Sequence, residues 1–206
     1  KISVEDYRFP KFEVSKDVIR LRSGEELQDC LESAYAQGGV TNTIVLCRSN
    51  KRANIYNQQI RARIRYQEDE ISTGDMLMVV RNNYYWLDEK SKAGFIANGD
   101  IVEVLKVKQT IDLYGFRFAK VTVQLVDYPE EKPLDVIVML DTLSSETPSL
   151  SYDDYKRLHA EVAKDYFGDK EANKKIKENE YFNALQVKFS YAITCHKSQG
   201  GQWENV

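Results

Sequence analysis

The chain has 206 residues, of which 42% are hydrophobic, so it is long enough to bury a substantial core. Its net charge of −3, from 29 basic and 32 acidic residues, excludes the global basic field that drives non-specific nucleic-acid binding, so any nucleic-acid site has to be local. Three cysteines without C-x-x-C spacing and only two histidines argue against a disulfide framework or a zinc site. We expect a soluble, cytoplasmic protein without a membrane span.

The first elements alternate between strand-like and helical patterns, which is typical of parallel α/β structure. Residues 18–21 form a short apolar run that predicts a strand. Ser23 and Glu26 then have the spacing of a capping box, and the apolar face that follows predicts a helix ending at Gly38 and Gly39.

Residues 43–47 are an unbroken apolar run, which predicts a strand covered on both faces. The next residues place Ala53, Tyr56, Ile60 and Ile64 on one helical face. Residues 43–65 therefore predict a strand-turn-helix unit of the RecA or Rossmann type.

The periodicity becomes strand-like over residues 71–143, which predicts a small, mostly antiparallel β unit. Helical patterns return over residues 147–186, with a start at Pro148 and Ser149 or at Ser151. A last strand is predicted over residues 187–194. The simplest assembly is an α/β domain built from residues 1–65 and 187–206, with the β unit and the helical segment between them.

The strongest local signal is the polar turn that follows this last strand. Thr194, His196, Lys197 and Ser198 supply side chains that can bind one phosphate chain, and the glycine at Gly200 lets backbone N–H groups approach an anion. Such turns lie at the carboxyl edge of the sheet, where open α/β folds bind ligands. The alternative is a polar loop in which Ser198 merely caps a helix.

A second signal is residues 47–54, which include Arg48, Ser49 and Asn50 and hold two arginines, a lysine and two asparagines where a predicted strand ends and a predicted helix begins. Basic and amide side chains at a helix N-terminus favour phosphate binding. The alternative is that Ser49 or Asn50 caps the helix and the basic groups lie in water.

A third signal, residues 81–86, joins an arginine to consecutive aromatic residues that could stack on nucleobases. Neighbouring residues of a strand point to opposite faces, so we favour packing within the domain over base stacking. No G-x-x-x-x-G-K-[ST] sequence occurs, so the chain has no complete nucleotide-hydrolysing site.

Residues 191–200, YAITCHKSQG, resemble motif V of superfamily 1 DNA helicases, most closely the RecD-like and Dda-like branch. Residues 43–54, TIVLCRSNKRAN, are similar to the region called motif IVa of that family. The segments GDMLMVVRNN and FIANGDIVEV resemble its SH3-like 2B insertion.

The resemblance implies an α/β fold with a RecA-like (P-loop NTPase-type) parallel sheet domain, an inserted small SH3-like β-barrel and a helical segment. In this scheme residues 1–68 are the first part of the RecA-like domain 2A and residues 69–146 are the 2B insertion. Residues 147–186 are a helical return segment, and residues 187–206 are the second part of domain 2A with motif V.

The resemblance also implies roles for individual residues. Thr194, His196, Lys197 and Ser198 would contact the backbone of single-stranded DNA, together with Arg48, Ser49 and Asn50. Another group, Gln199, Gly200 and Gln202, would lie at the nucleotide, with Gln202 where family members often have an acidic residue that meets the ribose. The chain would carry no catalytic residue.

ATP and Mg²⁺ would be held mainly by an N-terminal RecA-like domain of the same protein, so we expect the chain to be a piece of a longer ATP-dependent helicase. Two other interpretations stay open. One is a non-catalytic protein- or nucleic-acid-binding module, and the other is the helicase subunit of an exodeoxyribonuclease complex.

Overall fold

The computed structural model describes residues 14–88 and 91–206. Its helices are α1 (Gly24–Gly38), α2 (Asn50–Arg63), α3 (Asp141–Ser144), α4 (Tyr152–Lys164) and α5 (Ala172–Glu178). Its strands are β1 (Val45–Cys47), β2 (Met76–Val79), β3 (Ile101–Leu113), β4 (Phe116–Leu125), β5 (Leu134–Met139), β6 (Leu185–Phe189) and β7 (Ala192–Thr194).

Helix α1 begins and ends where the sequence predicts. The Ser23 hydroxyl oxygen accepts a hydrogen bond from the Glu26 N–H at 3.1 Å, and the Glu26 carboxylate accepts one from the Arg22 N–H at 2.6 Å. At the other end Gly39 has a φ of 72°, a left-handed conformation that glycine adopts without strain. The Ser23 and Glu26 pair therefore defines the start of α1 and Gly39 defines its end, both through local contacts.

Five strands form a closed barrel in the order β2-β3-β4-β5-β6. Four of the five contacts between neighbouring strands are antiparallel, and β5 pairs with β6 in parallel. All five residues of β6 are buried, and the barrel interior is filled by fully buried aliphatic side chains such as Leu77, Val104 and Val123. This interior is the main core of the described chain.

Strands β1 and β7 form a separate parallel sheet of two strands, and α2 packs on it. Ala53 and Ile60 on the predicted apolar face of α2 are buried, as the periodicity indicates.

Helices α4 and α5 cover another side of the barrel, where Leu158, Val162 and Ile176 pack against Phe118. Helix α4 begins after Ser151, the second of the two starts that the sequence allowed.

The prediction of a RecA-like parallel sheet domain is wrong. Within residues 14–88 and 91–206, the two-stranded sheet and the five-stranded mixed barrel are the sheets that form, and neither is a RecA-like sheet. Residues 187–194 are not one strand, because β6 closes the barrel against β2 while β7 leaves it to pair with β1. Residues 18–21 form no strand and are exposed.

A buried polar network joins α2 to the barrel. The Arg61 guanidinium donates two hydrogen bonds of 2.8 Å to the Asp75 carboxylate just before β2. The Tyr191 hydroxyl, between β6 and β7, donates to the same carboxylate at 2.9 Å and accepts from the Met76 N–H at 3.1 Å. Burial, then the charge of Asp75, raises the pKa of Tyr191 above its ordinary range. The network fixes the point at which the chain leaves the barrel.

Asn57 of α2 holds the start of β7 with its side-chain amide. Its Oδ1 accepts from the Ala192 N–H at 2.7 Å, and its Nδ2 lies 3.0 Å from the carbonyl oxygens of Phe189 and Ala192. These backbone groups pair with α2 instead of a neighbouring strand.

The described helices do not combine the length and apolar character that a helix needs to cross a membrane.

Candidate nucleic-acid interface

The parallel pairing of β1 with β7 brings the two predicted phosphate-binding segments to one edge. Cys47 lies opposite Thr194 in the register, and the Cys195 N–H donates to the Cys47 carbonyl at 3.0 Å. Both strands end there. Residues 48–50 and 194–198 therefore leave the sheet side by side, and we call these residues the β1–β7 edge.

The segment after β7 is a tight turn and not the start of a helix. The N–H groups of Lys197 and Ser198 donate to the Thr194 carbonyl at 2.8 and 3.2 Å, and the Ser198 hydroxyl donates to the Cys195 carbonyl at 3.0 Å. The turn thus uses the Ser198 hydroxyl internally. His196 is exposed, whereas Lys197 is half-buried.

On β1's side of the edge, Ser49 caps α2. Its hydroxyl oxygen accepts from the Arg52 N–H at 3.4 Å, so the capping alternative holds for Ser49. Arg48 is exposed and Asn50 is half-buried as the first residue of α2. The N-terminus of a helix favours negative charge, so a capped helix and a phosphate contact by its neighbours are compatible.

A small cavity of about 30 Å³ lies behind the edge, and we call it the inner cavity. It brings together three predicted DNA contacts, Asn50, Thr194 and Lys197. Asn54 of α2 and Lys188 of β6 also line it. In the described part of the chain, hydrogen-bond donors of α2, of strand β6 and of the polar turn therefore line one cavity.

A larger cavity of about 760 Å³, the outer cavity, lies between the polar turn and the barrel. His196 and Lys197 line it together with the predicted nucleotide-binding residues Gln199, Gly200 and Gln202. These last three offer amide and backbone groups, which can hydrogen-bond a ribose or a phosphate but cannot neutralise a triphosphate. These three residues therefore supply neutral hydrogen-bonding groups to the outer cavity.

The two amines near the edge are both partly desolvated. Burial lowers the pKa of Lys197 below its usual value, and burial lowers the pKa of Lys188 to about 8. The Lys197 ammonium donates to the side-chain oxygen of Asn98, in the loop before β3. This contact ties the polar turn to the barrel.

The aromatic segment 81–86 lies elsewhere, against α4 and α5. Arg81 lies over the Tyr155 ring at 4.7 Å, Tyr84 stacks on Phe95 at 4.8 Å, and the Trp86 indole N–H donates to the Asn183 carbonyl at 2.8 Å. Each of these contacts is made with another residue of the same chain. They favour packing within the domain over base stacking.

Sequence reasoning did not identify Lys188 or Asn98, whereas Asn54 lies in the predicted phosphate-binding segment of residues 47–54. Lys188 alternates with apolar residues in β6, a pattern that usually places a lysine in solvent. Its burial comes from α2 and the α3 segment, which cover that face from distant parts of the sequence. No local signal could have revealed it.

No protein-family model matches the chain, and a search of the curated proteins finds no match. The function of the edge therefore has to be inferred from the chemistry of its residues.

Proposed function

We propose that this chain is part of an ATP-dependent DNA helicase and that its β1–β7 edge binds the backbone of single-stranded DNA. The observation that carries the proposal is the register of Cys47 with Thr194, which sets residues 48–50 beside residues 194–198. The similarity of residues 191–200 to motif V supports it independently of the barrel.

The chemistry of the edge suits phosphates more than bases. Arg48 of the edge is exposed, as are the adjoining Lys51 and Arg52 of α2, and His196 and Lys197 add two further basic groups. The Lys51 ammonium lies 3.2 Å from the Glu146 carboxylate. This ion pair is exposed and contributes little to stability in water, so an approaching phosphate can replace Glu146 as the partner of Lys51. A local basic edge on a chain of nearly neutral charge fits binding that depends on salt and shows little sequence preference.

In the proposed motor, ATP is hydrolysed by a domain outside this chain, and ATP binding closes that domain on the outer cavity. The grip of the β1–β7 edge on the strand would then alternate with a grip on the other domain. His196 and Lys197 line the outer cavity and belong to the edge, so they are the residues through which nucleotide and DNA would act on each other.

The proposal is tested with the double variant His196→Ala/Lys197→Ala in this chain. We expect its affinity for a fluorescent oligo-dT to fall about tenfold or more, because a hydrogen bond from a charged group such as the Lys197 ammonium contributes roughly tenfold. The matched control is Lys170→Ala/Lys174→Ala, which removes two exposed amines that do not belong to the edge. Equal affinities of the two double variants and the unmodified chain would contradict the proposal.

A further inference from the structure

Lys188 is a buried lysine that lines the inner cavity. The residue is 6% exposed, and its ammonium donates to the Ser145 carbonyl at the end of α3. The same carbonyl accepts from the Asn54 side-chain amide at 2.7 Å. A neutral side chain with one donor would satisfy this carbonyl equally well, so the hydrogen bond alone does not explain a charge here.

Among residues 14–88 and 91–206, Lys188 forms no ion pair with a carboxylate. Burial is what lowers its pKa to about 8. An isolated buried charge is costly unless it is paired, so a negatively charged ligand would relieve this cost.

The inner cavity provides the place for such a ligand. Its volume of about 30 Å³ is enough for one oxygen atom of the size of a water molecule. Lys188 lines it from the barrel side, Lys197 and Thr194 line it from the polar turn, and Asn50 and Asn54 line it from α2. The first turn of α2 adds the favourable end of a helix dipole.

Resting on the proposed function, we propose that Lys188 is a second phosphate-binding amine of the β1–β7 edge. A non-bridging oxygen of one phosphate of the DNA backbone enters the inner cavity and is held between Lys188 and Lys197. The strand is thereby bound by one deep contact in addition to the exposed contacts at the edge.

The test compares Lys188→Gln with the control Lys174→Gln, an exposed lysine on α5. Binding of oligo-dT is measured by fluorescence anisotropy over a series of salt concentrations from about 50 to about 200 mM. We expect Lys188→Gln to weaken binding about tenfold. The slope of log affinity against log salt should become less steep by about 0.7, the value for one phosphate contact on a single strand.

The outcomes separate the two proposals. If the unmodified chain binds oligo-dT and Lys188→Gln leaves both affinity and slope unchanged, Lys188 does not contact phosphate, whereas the proposed function stands. If the unmodified chain does not bind oligo-dT, both proposals fail.

A measurement on the unmodified chain covers the case in which the variant does not fold. The ¹³Cε signal of Lys188 is followed by NMR at a pH of about 8 while oligo-dT is added. We expect it to move towards the value of a fully protonated lysine, because the phosphate stabilises the ammonium. An unchanged signal overturns the proposal. If inorganic phosphate at the same concentration shifts the Lys188 signal equally, the proposal that the ligand is nucleic acid is wrong.

Discussion

Arg61 and Asp75 form a bidentate ion pair out of reach of solvent, with side chains that are 7% and 0% exposed. The pair links α2, which carries one half of the β1–β7 edge, to the first strand of the barrel. Because Tyr191 donates to the same carboxylate, one acidic side chain holds both the helix and the chain segment that leads into the polar turn.

Replacement of Asp75 by alanine should lower the free energy of unfolding by about 3 to 5 kcal/mol, since it leaves a buried guanidinium without its partner. Urea unfolding followed by circular dichroism measures the change. Glu146→Ala is the control, because its pair with Lys51 is exposed and should be worth less than about 1 kcal/mol. Similar losses in both variants would show that burial of the Asp75 pair has no special weight.

Asn57→Ala should destabilise the protein by about 3 kcal/mol. The substitution leaves the Ala192 N–H and two carbonyl groups buried without their amide partner, and each such group costs about 1 to 3 kcal/mol. Gln58→Ala, at the next and exposed position of α2, should have little effect in the same unfolding experiment. A loss below about 1 kcal/mol for Asn57→Ala would mean that water or a shifted β7 satisfies these groups.

Lys188 should make the stability of the protein depend on pH. Its pKa of about 8 in the folded chain lies below the ordinary value of 10.5, so between these pH values the unfolded chain binds a proton that the folded chain does not. The free energy of unfolding that Lys188 contributes therefore rises with pH through this window, by up to about 3 kcal/mol.

The measurement is urea unfolding of the unmodified chain and of Lys188→Met at several pH values from about 7 to about 10. The variant lacks the titrating group, so the stability of the unmodified chain relative to Lys188→Met should increase as the pH rises. A difference that stays constant over the whole range would show that Lys188 titrates normally.

Gly201→Ala should displace Trp203 from the outer cavity. A Cβ atom at position 201 would lie 2.1 Å from the Trp203 ring, which is closer than any real contact. In an NMR spectrum of the two indole N–H groups, we expect the Trp203 signal to move and the Trp86 signal to stay. Gly24→Ala serves as the control, since a Cβ atom there meets nothing within 4 Å. An unchanged Trp203 signal would contradict the close packing.

The local elements could be predicted from the sequence because their signals are local. Ser23 and Glu26 define the start of α1 within four residues, and Gly39 marks its end through its own backbone conformation. The face of α2 follows from its periodicity in the same way. Such signals do not depend on which distant segment the element contacts.

The sheet topology could not be predicted in this way, and the prediction of a RecA-like sheet is wrong. The strand-like segment from Val187 to Thr194 is continuous in sequence, but Tyr191 hydrogen-bonds to Asp75 and Met76, and the chain changes from the barrel to the two-stranded sheet there. The pairing of β6 with β2 joins segments about a hundred residues apart, and periodicity carries no information about such pairings.

The candidate site was predictable where it follows strand ends. Arg48 to Asn50 and Thr194 to Ser198 both follow an apolar run, and the structure brings these two segments to one edge. Lys188 was not predictable, because its burial depends on α2 and on Ser145, which lie far from it in sequence.

NMR can map the proposed contact of the β1–β7 edge with single-stranded DNA residue by residue. Backbone amide signals of the ¹⁵N-labelled chain are followed while a short oligo-dT is added. We predict that the largest shifts fall on residues 48–50 and 194–198 and that they diminish as salt is added. Shifts confined to residues 81–86 and to the helices they contact, or no shifts at all, would contradict the claim.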